Sequence, residues 1–140
     1  MGRLRELSVD ECVELLSANV VGRAAICTPS GPHVVPVNYA VDGDSIVFRT
    51  TPYSVLGTYG WAGDVAFEVD HIEPISHTGW SVLVTGTACE LFDPVDLARA
   101  ARLPLAAWAP GEHSHYVRIS SDLVSGRRLT TEVLTGQRVG

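Results

Sequence analysis

The chain carries two hydrophobic periods, and the change between them falls near residue 20. Val9, Cys12, Val13, Leu15 and Leu16 recur at helical spacing. Ser8 stands ahead of them as an N-cap, with Glu11 three residues on in the capping-box position. Leu7 and Cys12 are placed to close a hydrophobic staple across that cap. The pattern predicts a helix over about 9–18 that stops at Asn19.

From Val20 the period is two. VVGRAAICT reads as a strand, T-P-S-G-P (Thr28 to Pro32) as a turn, and HVVPVNYAV as a second strand. D-G-D (Asp42–Asp44) is a tight-turn signal before SIVFRTT, so segment 33–50 is expected to be a hairpin. Residues 51–63 hold Pro52, Gly57, Gly60 and Gly63 and predict a loop or a short irregular helix. Asp64 to Ile72 alternates, with Val65, Phe67 and Val69 on one face and Ala66, Glu68 and Asp70 on the other. Glu68, set between apolar neighbours, is expected on an outer or interface face, paired with an arginine such as Arg23. Gly79 to Phe92 is a long fifth strand whose Gly86 marks a bulge or bend. Asp93-Pro94 opens a second helix that continues to about Leu103. Residues 113–120 give a sixth strand, Ser125 to Leu129 a final turn or short strand, and the tail after Thr130 is expected to fray.

Five or six strands at turn-sized intervals, mostly antiparallel, with two peripheral helices, argue for a mainly β fold: a small closed barrel. There is no internal repeat and no linker, so 1–140 is read as one domain with its core over about 7–129. The chain is 46% hydrophobic and only 19% charged, which fits a strand-dense core, a large apolar face covered by a partner, or both. Its net charge of −6 argues against nucleic acid as a partner. Arg23, Asp42, Arg49 and Glu68 interrupt the apolar runs well short of the roughly 18 residues a membrane helix needs. The N-terminus has no apolar signal region, and a cytoplasmic location is expected.

All ten basic residues are arginine, which excludes a Schiff-base lysine and the lysine of a nucleotide-binding P-loop. There is no G-x-S-x-G elbow, and the glycines at 57, 60 and 63 do not make a dinucleotide fingerprint. Cys12, Cys27 and Cys89 are far apart and are read as buried structural thiols in a reducing compartment. His113 and His115 share one face of a strand, but spacing supplies no third ligand and no metal site is expected. Phe48, Phe67 and Trp80 stand at alternating apolar positions, where a core aromatic is the usual explanation.

The strings VVPVNYAVDGDSIVFRT (34–50), VAFEVD (65–70) and GWSVLVTGTA (79–88) resemble the pyridoxamine 5′-phosphate oxidase-like superfamily, and most closely its small flavin-binding members common in actinobacteria. The opening VGR (21–23) and closing VSGRRL (124–129) fit in the same order, so the resemblance runs from about residue 7 to residue 129. It implies a six-stranded antiparallel split barrel that forms a homodimer, with two equivalent flavin mononucleotide (FMN) sites at the subunit interface. It also implies an FMN-dependent oxidoreductase acting on a small redox substrate.

Carried over by position, Pro36, Val37 and Asn38 would offer a flat backbone edge to the isoalloxazine ring. Phe48, Arg49, Thr50 and Thr51, with Ser54 beyond them, would end a strand at the ribityl phosphate, where arginine binds by charge-assisted hydrogen bonds. Trp80 and Ser81 resemble the segment that approaches the flavin from the second subunit. None of these residues is an obligatory acid or base, so no catalytic residue is assigned.

In many relatives the segment after R-T reads roughly G-[ST]-K-L, with its lysine on the phosphate. Here the aligned residues are Tyr53, Ser54, Val55 and Leu56, so valine replaces that lysine. Arg127 or Arg128 is the candidate to restore the charge, although spacing does not place either of them. Other split barrels of the superfamily bind a deazaflavin coenzyme or haem. For haem, His113 or His115 would be the axial ligand. A cofactor-free or non-enzymatic dimer is the remaining alternative.

Overall fold

The computed structural model describes residues 2–50, 63–105 and 115–131. In chain order it contains β1 (Gly2–Glu6), α1 (Val9–Ser17), β2 (Val21–Thr28), β3 (Gly31–Asp42) and β4 (Ser45–Thr50). After the intervening segment come β5 (Asp64–Glu73), β6 (Thr78–Glu90), α2 (Pro94–Ala100), β7 (His115–Ser120) and β8 (Leu123–Thr131). The strands form one antiparallel sheet in the order β1-β8-β6-β5-β2-β3-β4-β7.

That sheet closes because β6 changes partner along its length. Its first half pairs with β8 from Gly79↔Leu129 to Thr85↔Leu123, and its last residues pair with β7 from Ala88↔Ile119 to Glu90↔Val117. The β6–β7 pairing makes a ring of six strands, β2-β3-β4-β7-β6-β5, to which β8 and β1 add a two-stranded ribbon. The switch falls at Gly86, where the sequence predicts a bend. A Cβ there would lie 1.7 Å from the Ser120 carbonyl oxygen, so only glycine lets the two backbones cross.

Inside the ring the period-two residues meet as one core. Tyr39, Ile46, Phe48, Phe67, Val69, Val82, Val84, Val117 and Ile119 are all 2% exposed or less. The Phe67 ring meets Tyr39 edge-on, with centroids 4.8 Å apart. Helix α1 covers one end of the barrel. Its Ser8–Glu11 capping box is fully formed, Leu7 and Cys12 are buried, and the Asn19 side chain donates to the Leu15 carbonyl at 2.7 Å. The buried Tyr39 hydroxyl donates to Leu16 O and ties the helix to the core. Helix α2 covers a second, smaller cluster around Val47, Leu91 and Ala100 on the outside of the barrel. Its Arg99 and Arg118 of β7 both donate to the nearly buried Asp42 carboxylate, at 2.9 and 3.0 Å.

Three details differ from the sequence reading. β1 was not expected: all five of its residues are exposed, and what holds it is pairing with β8, a contact the local pattern does not encode. The expected turn or short strand at 125–129 is part of the nine-residue β8. Cys27 and Cys89 are exposed rather than buried, because alternation turns them outward beside the buried Ile26 and Ala88; Cys12 alone of the three is buried. No described helix is long and apolar enough to cross a membrane.

Candidate functional site

The hairpin β3–β4 brings six of the sequence-predicted site residues to one place. Tyr39 pairs with Phe48, so the residues that follow Phe48 on β4 run alongside those that precede Tyr39 on β3. Pro36, Val37 and Asn38 therefore adjoin Arg49 and Thr50 where β4 ends. Pairing between β3 and β4 covers Tyr39–Asp42 only. Over Gly31–Val37, β3 is strand-paired on one side, with β2, and among the described residues no strand takes its other edge. Both prolines of this stretch, Pro32 and Pro36, suit an edge that no strand occupies.

The side chains divide between two faces. The Phe48 ring lies in the core, 1% exposed, and Val37 and Thr50 are also buried. Arg49 points the other way, and its guanidinium lies over the Tyr116 ring, 5.5 Å from the centroid. Thr50 pairs with His115, whose Nδ1 is 2.8 Å from the Glu90 carboxylate. Sequence reasoning missed this His115–Glu90 pair, because it joins β6 to β7 across 25 positions. Thr51, Ser54 and His113 lie outside the described residues, as do most of the loop expected over 51–63 and the tail from 132.

Trp80 and Ser81 stand elsewhere. On β6, Ser81 pairs with Asp70 of β5 and Arg127 of β8, while Trp80 pairs with His71 and Arg128. The two arginines that sequence spacing left unplaced are thus the direct cross-strand neighbours of the second predicted segment. Arg128 and Trp80 also line a groove of about 690 Å³ with His71 and Thr78. Two strands, β2 and β5, separate this segment from Pro36, a distance of roughly 14 Å at ordinary strand spacing.

Between the two segments lies the outer face of the sheet. One row across it reads Pro36–Arg23–Glu68–Leu83–Ser125, and the next reads Val34–Ala25–Ala66–Thr85–Leu123. Most of these residues are small or apolar, and Val34, Leu83 and Leu123 are 64%, 42% and 72% exposed. A groove of about 450 Å³ runs along the second row. The charge at the centre of the face is a single cluster: Arg23 Nη2 is 2.8 Å from Glu68 and also bonds Asp70. The pairing of Arg23 with Glu68 is the one the sequence pattern suggests. Burial, and then the adjacent Asp70 carboxyl, push Glu68 up to about 7 against the pull of Arg23. Asp70 is lowered, first by the hydrogen bond it accepts from Glu68 and then by Arg23.

Among the described residues, a closed ring of six antiparallel strands carrying a two-stranded ribbon defines the class of the split barrels. The family model for pyridoxamine 5′-phosphate oxidase matches residues 8–128, and the chain belongs to that family. It is 33% identical over 135 residues to an uncharacterized protein of Mycobacterium tuberculosis, covering 93% of this chain and 88% of that one. Among solved structures it is similar to a FAD-binding protein of Mycobacterium smegmatis, with a TM-score of 0.82 and 32% identity over 91% of this chain and 100% of the other. It is also similar to a FAD-binding protein of Mesorhizobium loti, with a TM-score of 0.73 and 28% identity over 94% and 100% of the two chains.

Proposed function

We propose that the chain binds a flavin coenzyme in a cleft completed by a second copy of itself, and acts as a flavin-dependent oxidoreductase on a small redox substrate. The observation that carries this reading is the backbone edge of β3 over Gly31–Val37, which no strand takes among the described residues, beside the end of β4. A planar ring would have a run of peptide groups to lie against there, and the strand end would bring the Arg49 cation to a phosphate. The flavin, when bound, supplies the electron transfer, while the protein binds and orients it.

The second copy supplies what one chain keeps apart. Trp80 and Ser81 are too far from Pro36 in one chain to meet the same ring. Packing two outer faces against each other carries one chain's Trp80–Ser81 segment to the other's β3 edge. Arg127 and Arg128 travel with it, and the same contact covers Val34, Leu83 and Leu123.

FAD suits the charge at this site better than FMN. The phosphate of FMN is a monoester carrying nearly two negative charges, whereas FAD spreads two over a pyrophosphate, one on the ribityl phosphate and one on the adenylate phosphate. Valine at position 55, where many relatives have lysine, removes one cation, a larger loss to a doubly charged monoester than to the singly charged ribityl half of a pyrophosphate. The two FAD-binding relatives support the same choice.

The test is the visible spectrum of the purified protein, chromatography of any flavin released by heat, and titration of the apoprotein with FAD and with FMN. A yellow protein releasing FAD, or saturable binding of one FAD per chain that Arg49→Ala weakens at least about tenfold, is the expected result. A protein that binds neither flavin overturns the reading, and tighter binding of FMN than of FAD overturns the choice of nucleotide. Turnover with a nicotinamide reductant across a panel of small acceptors tests the oxidoreductase assignment; reoxidation by oxygen alone at the background rate removes it.

A further inference from the structure

We infer that association of two copies through the outer face is linked to proton uptake at the Arg23–Glu68–Asp70 cluster, so that the assembly tightens as pH falls from alkaline towards neutral. The inference rests on the two-copy site proposed above and adds a control that the site itself does not require.

The cluster sits in the middle of the face. Pro36 and Leu83 flank it in its own row, and Val34, Ala25, Ala66 and Thr85 lie in the next. One guanidinium faces two carboxylates, which leaves one net negative charge per chain when both are ionised. Among the described residues that face it, the one further cation is Arg127, in Asp70's row but two strand spacings, roughly 10 Å, away. β3 contributes Pro36 and Asn38, and β6 contributes Ser81 and Leu83. β8 contributes Ser125 and, one position along, Arg127, which pairs with Ser81 at the rim. On β5 itself His71 follows Asp70 but projects from the opposite face.

Joining two such faces strips water from both clusters and sets their excess negative charges against each other. A carboxylic acid buries at far lower cost than an unpaired carboxylate. With a proton on Glu68 the cluster is neutral: Glu68 donates to Asp70, and Asp70 keeps its ion pair with Arg23. The exposed face already leans this way, since burial has raised Glu68 to about 7 before any partner covers it. Further desolvation acts in the same direction. The folded monomer at pH 8 is therefore mostly ionised at Glu68, while the assembled pair holds the proton.

The sign follows from linkage. A state that binds more protons gains population as pH falls, and two chains taking up at most one proton each limit the effect to about 100-fold in the dissociation constant per pH unit. Sedimentation equilibrium at pH 6, 7.5 and 9, on apoprotein and flavin-loaded protein, should show a dissociation constant that rises at least about tenfold from pH 6 to pH 9. Glu68→Gln, a neutral isostere that still bonds Arg23, should associate tightly with no such slope, and His71→Gln should keep it. A stable pair whose affinity is flat with pH, or a slope unchanged in Glu68→Gln, overturns the inference and leaves the flavin site standing. A protein that is monomeric at every pH and concentration overturns the two-copy reading and this inference together. If Glu68→Gln does not fold, proton release on dilution of the wild-type protein in weak buffer at pH 8 decides: release supports the linkage, and none refutes it.

Discussion

Gly22→Ala, made with and without Phe67→Ala, tests the packing that holds the outer face in place. Phe67 is fully buried between Tyr39 and the β2 backbone. A Cβ on Gly22 would stand 2.3 Å from its Cζ and 2.9 Å from both Cε atoms. Neither side can retreat. Gly22 pairs with Val37 of β3, the adjoining Arg23 pairs with Glu68 of β5, and the ring is enclosed by core side chains. Overpacking of this kind costs about 1–3 kcal/mol, and a contact this short belongs at the upper end, about 3 kcal/mol. Phe67→Ala alone should cost about 4 kcal/mol, within the usual range for emptying a buried Phe site. With the ring gone the new methyl enters vacated space, and replacing a strand glycine then gains roughly 0.5 kcal/mol. The double variant should therefore be about as stable as Phe67→Ala alone, a coupling of roughly 3 kcal/mol against additivity. Urea unfolding followed by circular dichroism at one fixed protein concentration measures all four corners of the cycle. If the two losses add to within about 0.5 kcal/mol, the steric account is wrong. A silent Gly22→Ala refutes it more directly.

Three further outcomes follow from single contacts. Tyr39→Phe removes the buried hydroxyl that donates to Leu16 O and should cost about 1–2 kcal/mol in urea unfolding, with amide exchange accelerated at the end of α1. Asp42→Asn leaves Arg99 and Arg118 without the carboxylate both donate to; it should destabilise by about 2 kcal/mol and raise proteolysis around α2 before the barrel opens. Glu11 is held down to about 2, first by the Arg5 hydrogen bond and then by the Ser8 backbone N–H, so its ionised form is favoured in the folded chain. That contribution is complete above the ordinary carboxylate value of 4.5 and is lost as pH falls towards 2, so the gap in melting temperature between wild type and Glu11→Gln should close over that window.

Much of this architecture was legible in residue order. Alternation in 64–72 assigned Val65, Phe67 and Val69 to the core and Glu68 to the outer face, because a strand's two faces are set by parity alone. The capping box and staple placed the start of α1 to the residue, since both are contacts within one turn. Gly86 announced a bend without saying what crosses it; the answer, Ser120, is 34 positions away. The candidate site was legible in pieces. Pro36, Arg49 and Trp80 were picked out through resemblance, but which of them share a place depends on strand order, and strand order puts β2 and β5 between them.

What the sequence determined by itself was local: the helices and their caps, the two faces of each strand, the turn at Asp42–Asp44, and the mainly β class. What only the tertiary structure decided was partnership. β6 divides its edge between β8 and β7 and so closes the ring, β8 holds an N-terminal strand with no buried residue, and Arg127 and Arg128 come to lie beside Ser81 and Trp80. The reason is physical. Period and capping depend on neighbours a few residues apart, whereas strand pairing is chosen by closure of a whole core, and no single segment of the chain carries that information.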